Sequence, residues 1–113
     1  MRGARLGGAV SEKQMRLLGW RRLRQGSLYG FAEIELPIGL VIGEIPLLRG
    51  AEGLWAALPS KPELDRGNRS VRIGGDGKPL YREIMRWRTR KLREAFSARV
   101  VELVRAAHPD DLD

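Results

Sequence analysis

Between Tyr81 and Arg93 the chain reads YREIMRWRTRKLR, with six basic residues, one acidic residue, and Tyr81 and Trp87 set among the arginines. A planar guanidinium forks onto two phosphate oxygens or stacks on a base, which an ammonium cannot do, so this residue mix suits a polyanion. Arg82, Arg86, Arg88, Arg90, Lys91 and Arg93 are the candidate contacts. Lys61, Arg66 and Arg69, in a polar stretch upstream, are placed to join them on a nucleic-acid backbone. The competing reading is a solvated charged face. One detail favours phosphate: Arg90, Lys91 and Arg93 fall in the first turn of an expected helix, where the macrodipole is positive and acidic residues are preferred. Cations and free N–H groups at a helix start make a phosphate site.

These residues need a strand leading into a helix. On a strand running from about Leu80 to Trp87, Arg82, Ile84, Arg86 and Arg88 fall on one side, with Met85 and Trp87 on the other. That alternation turns Trp87 inward, against its alternative role as a base-stacking platform. A helix is expected from about Arg90 to Ala107, with Leu92, Phe96, Val100, Leu103 and Ala107 as its apolar stripe, Thr89 as its N-cap and Pro109 beyond its end.

Before it, alternation over 28–36, with Leu28, Gly30, Ala32, Ile34 and Leu36 on the even side, predicts a half-buried strand. Strands are also expected at 14–24, 40–48 and 54–58. Pro46 puts the strand at 40–48 at an edge or a bulge, and Trp20 and Trp55 read as core. Residues 59–79 hold three prolines and four glycines and read as a long mobile loop, with Asp76-Gly77 suited to a type I′ turn. The expected architecture is α+β: a four- or five-stranded antiparallel meander with one C-terminal helix packed on it. Residues 1–12 read as a mobile basic arm, 13–107 as one domain and 108–113 as an acidic tail.

The remaining candidates for chemistry fall away. Gly74-Gly75-Asp76-Gly77-Lys78 lacks the glycine at position 72 and the Ser or Thr at position 79 that a P-loop needs. Glu33, Glu35 and Glu44 suit a salt-bridging strand face, and His108, the one histidine, a terminal surface position. Without cysteine, and without triad or metal spacing, neither an enzyme nor a cofactor or small-molecule substrate is expected. A second basic cluster, Arg16, Arg21, Arg22 and Arg24, reads equally as edge-strand protection or as an extension of the charged face.

The net charge of +7 is uneven, strongly positive over 1–24 and 81–93 and negative over 25–58 and 94–113. With 113 residues the core must be shallow, and oligomerisation would bury more surface. The start lacks an apolar stretch of signal-peptide length, and no segment is long enough to span a bilayer, so a cytoplasmic location is expected.

The string Gly53-Leu54-Trp55-Ala56-Ala57-Leu58-Pro59-Ser60-Lys61, followed by Asp76-Gly77-Lys78 and Tyr81-Arg82-Glu83-Ile84, resembles the SpoVG family (stage V sporulation protein G, septation regulators). The resemblance covers roughly residues 17–106. It departs from the family where Arg86-Trp87 stands in place of a His-Pro pair. It implies a homodimer whose sheet continues between subunits and a nucleic-acid-binding regulator, of DNA or RNA, with basic residues near the helix and no catalytic residues. The rivals are a protein-interaction module acting through a sheet edge, and peripheral membrane binding. The latter is disfavoured because the helix commits its apolar stripe to the core.

Overall fold

The computed structural model describes residues 15–113; the expected arm at 1–12 lies outside the described residues. The chain is α+β. Strands β1 (Arg16–Gln25), β2 (Leu28–Glu35), β3 (Val41–Gly50) and β4 (Gly53–Ala56) form an antiparallel meander in the order β1-β2-β3-β4. Helix α1 (Arg90–Ala107) packs on one face of it. Among the described residues, no helix is long and apolar enough to cross a membrane.

The even positions of β2 face the helix as expected: Ala32 and Ile34 are fully buried, joined from β3 by Ile42, Ile45 and Leu47. Tyr29, on an odd position, is buried as well, under the guanidinium of Arg24 at 3.9 Å, and accepts a 2.7 Å hydrogen bond from Arg49 Nε. A Cβ on Gly30 would lie 2.4 Å from the Arg21 carbonyl oxygen and 2.7 Å from the Trp20 ring, so the close approach of Trp20 to β2 requires glycine there. Strand β3 is an inner strand, and Pro46 does not mark an edge. The register slips between Ala32 and Ile34, opposite Gly43 and Glu44, and Glu44 takes φ 53°, so a bulge absorbs the irregularity two residues before the proline.

On α1 the buried stripe is Phe96, Val100 and Val104, at strict spacings of four. Leu92 is 49% exposed and Ala107 is exposed, so the expected stripe is right in the middle and wrong at both ends.

Residues 108–113 were expected as an acidic tail. Instead Pro109–Leu112 forms a 3-10 turn, with Leu112 buried at 2% exposure. Asp111 Oδ2 accepts a 2.9 Å hydrogen bond from Trp20 Nε1, and Asp111 Oδ1 lies 3.5 Å from Arg22 Nε. Arg24 donates to the carbonyl oxygens of Asp111 and Asp113. The acidic residues therefore bind the basic first strand, and Leu112 anchors them.

Residues 59–83 build a separate unit. Strands β5 (Ser60–Pro62) and β6 (Tyr81–Glu83) pair antiparallel, with further bridges at Leu64–Val71 and Ile73–Pro79. Beyond them Glu63 N–H donates to Leu80, Leu80 N–H to Arg72 and Arg72 N–H to Glu63, so three extended segments close a ring of backbone hydrogen bonds. The expected fifth strand at 80–87 is thus three residues long, and its partner is β5 rather than the meander. At the tip only Gly77 has positive φ (82°), and Gly77 N–H donates to Gly74 O. The turn is therefore a three-residue loop with glycine at the left-handed position, not a type I′ turn, which would need positive φ at Asp76 too.

Leu112→Ala is expected to lower stability by about 2–5 kcal/mol, while Leu92→Ala changes it by no more than about 0.5 kcal/mol. Urea unfolding of both variants checks the stripe and the anchoring role of the C-terminal turn.

Candidate nucleic-acid interface

The two basic clusters have different fates. In β1, Arg16 pairs with Glu35 at 3.3 Å and Arg21 with Glu44 at 3.1 Å, while Arg22 and Arg24 engage the C-terminal turn. The first-strand arginines are thus neutralised within the chain, and Glu35 and Glu44 serve as the salt-bridging carboxylates expected of them. Around the passage into α1 the balance is reversed. Among the described residues, of Arg82, Arg86, Arg88, Arg90, Lys91 and Arg93 only Arg90 has an ion pair, to Glu94 at 2.9 Å, and Lys61, Arg66 and Arg69 have none.

Thr89 caps the helix by accepting a 3.2 Å hydrogen bond from Leu92 N–H, and the first turn contains no acidic residue. Arg90, Lys91 and Arg93 therefore face the positive end of the helix dipole, each at a cost of about 0.3–1 kcal/mol when exposed. The Arg90–Glu94 pair, four residues apart with both side chains mostly exposed, offsets a few tenths of that at most.

Strand β6 ends at Glu83, so the row of arginines expected along it does not form. Arg82 lies directly opposite Lys61 in the β5–β6 pair, a like-charge cross-strand contact. Ser60 and Glu83 point to the other side, into a cavity of about 290 Å³. Arg86 and Trp87 both line that cavity, rather than opposite faces of a strand, because 84–88 is an irregular connection. Arg93 completes its wall from the first turns of α1. Arg66 and Arg69 sit on a different turn, Asp65–Ser70, and no hydrogen bond or ion pair links them to the helix start.

Trp87 is half-buried and packs on Phe96, with ring centroids 5.0 Å apart, as the inward reading required. Its Nε1 is buried and donates to no protein group. Trp55 corrects the sequence reading. It is 45% exposed, because Ala56 takes the inward position on β4, with its N–H donating to Ser97 Oγ at 2.8 Å. Trp55 lines the same cavity as Arg86 and Arg93, and also a trough of about 690 Å³ running on between β4 and α1. The signal for it was in the sequence: in a short strand with a small residue under the helix, strict alternation sends its neighbour outward.

In the Asp65–Ser70 turn, Asp65 Oδ1 accepts from Gly67 N–H at 2.7 Å and Asn68 N–H at 3.2 Å. Those two amides, and to a smaller degree the Arg72 guanidinium, hold its carboxyl below the usual aspartate range. Among the described residues, no group of three metal-ligating side chains is close enough to hold an ion.

No protein-family model matches the chain, and no curated protein matches it.

The depressed Asp65 carboxyl fixes the sign of a pH effect. The order it gives the loop is fully present above the pKa of an unfolded aspartate and is lost as pH falls through the lower native value. The Gly67 and Asn68 amide resonances should titrate together at a midpoint below that of an ordinary aspartate. Asp65→Asn should abolish the transition.

Proposed function

We propose that the protein is a non-catalytic, SpoVG-like regulator that binds DNA or RNA through arginine–phosphate contacts around the passage from β6 into α1. The observation that carries this reading is the split between the two basic clusters. The first-strand arginines have partners within the chain, whereas Arg82, Arg86, Arg88, Lys91 and Arg93, with Lys61, have no ion pair among the described residues. Like charges held opposite each other at Lys61 and Arg82, and cations at a helix N-terminus, are unfavourable in the free protein. Both arrangements become favourable when phosphates arrive.

The string that carries the resemblance supports the same reading. Gly53–Lys61 forms β4 and the passage into β5, and its residues from Trp55 to Ser60 line the cavity beside Arg86 and Arg93. Self-association belongs to the proposal. The unit at 60–85 exposes Leu64, Val71, Ile73, Leu80, Tyr81, Ile84 and Met85, a concentration of apolar side chains within one short segment of the kind that marks interaction surfaces. A second copy would cover it.

Titrating labelled DNA and RNA across salt tests the binding. Each of Arg86→Gln, Arg88→Gln, Lys91→Gln and Arg93→Gln should make the log–log salt slope shallower by about 0.7–0.9. Arg16→Gln and Arg21→Gln should leave it unchanged; absence of binding at low salt removes the reading. Sedimentation equilibrium should give about twice the 12.7 kDa chain mass, and Tyr81→Ser with Ile84→Ser should shift the protein toward the monomer.

A further inference from the structure

We propose that the cavity at the free edge of β4 receives one unstacked base of a single-stranded nucleic acid, stacked on Trp55 with its flanking phosphates on Arg86 and Arg93. The inference rests on the nucleic-acid reading above and narrows it from any polyanion to single strands.

Three observations converge on the site. Trp55 holds a large aromatic surface out of the core at 45% exposure, on an edge strand where none of the described residues covers it fully. Two arginines without ion pairs stand in the wall of the same cavity, so an aromatic face and phosphate ligands lie within one recess. Trp87 stands in that wall with its ring packed on Phe96 at 5.0 Å between centroids, so the recess has a second aromatic side held in place from the core. A nucleotide carries what the exposed features lack: a π-face for Trp55 and phosphates for the guanidinium groups.

The recess, about 290 Å³, is near the lower end of small-ligand clefts and has no room for a duplex. In a duplex each base face is already stacked, so only a single strand can offer one without prior unpairing. Charge sets the direction of the chain. Beyond Arg93 the trough between β4 and α1 is lined by Glu52 and Glu94, which repel phosphate. The backbone therefore leaves toward Arg86 and Arg88, and the base points toward β4.

The test uses a short labelled single strand, the same sequence as a duplex, and adenosine monophosphate, against the full chain and its Trp55→Ala, Trp55→Phe and Arg86→Gln variants. The single strand should bind more tightly than the duplex. Trp55→Ala should weaken single-strand binding by roughly 5- to 150-fold, with the salt slope and the duplex affinity unchanged. Trp55→Phe should restore most of the loss, and Arg86→Gln should lower the salt slope. Near-UV circular dichroism checks that the variants remain folded. The proposal is overturned if Trp55→Ala binds the single strand like the parent while Arg86→Gln weakens it, an outcome that leaves the nucleic-acid reading intact. Duplex binding as tight as single-strand binding also overturns it, as does adenosine monophosphate binding as tightly as the strand. If the parent binds neither form at low salt, the underlying reading fails and this inference fails with it.

Discussion

One helix covers one face of a four-stranded sheet, and among the described residues no second helix of that size covers the other. Because strand side chains alternate, that single covered face determines which residues are left outside. Ile34, Ile45 and Leu47 fill the interior opposite Phe96, Val100 and Val104, and the alternate positions must be made tolerable in water. On β1 and β2 this is done with charge and with arginines laid over aromatic rings: Arg21 over Phe31 at 5.0 Å and Arg24 over Tyr29. On β4 it is not done. Ala56 goes under the helix, Trp55 goes out, and an edge strand carries an indole that none of the described residues covers fully.

Electrostatics follows the same geometry. The C-terminal turn has to return over the end of the sheet for Leu112 to reach the core, and it brings Asp111 to β1 as it does so. The first-strand arginines are satisfied as a by-product of closing the core. Among the described residues the cations around the helix start have no such visitor: Glu94, Glu102 and Asp111 are engaged by Arg90, Arg99 and β1. A net charge of +7 in this chain is therefore largely a local excess, not an even coat.

The sequence was most legible where one period governed. The β2 alternation, the bounds of α1 and its Thr89 cap follow from spacing and from one capping residue, and the meander follows from its turns. It was least legible where a distant element decided. The strand expected to run to Trp87 stops at Glu83 because β5, only three residues long, offers no further partner. The arginines beyond it then leave the strand row, and two of the candidates are regrouped around a cavity instead. Trp55 was hidden by composition: an apolar string reads as core unless alternation is applied residue by residue. The acidic tail was misread because four charged or polar residues and a proline concealed one anchoring leucine.

The candidate site gathers arrangements that oppose local stability. Lys61 opposite Arg82, three cations on a helix start and the unmet N–H of Trp87 each carry a small cost, from a few tenths to a few kcal/mol. Together they are a sizeable fraction of what holds so small a domain folded. Elsewhere the chain avoids such conflicts: β1 pairs its arginines, and every other buried side-chain polar atom among the described residues has a partner. The concentration of local conflict in one region fits the binding surface proposed above, because the cost carried by the free protein would be returned as affinity when opposite charge fills the site. Reversal by a single ligand also requires that the charged features share one chemistry, and the phosphates of the proposed ligand would supply it.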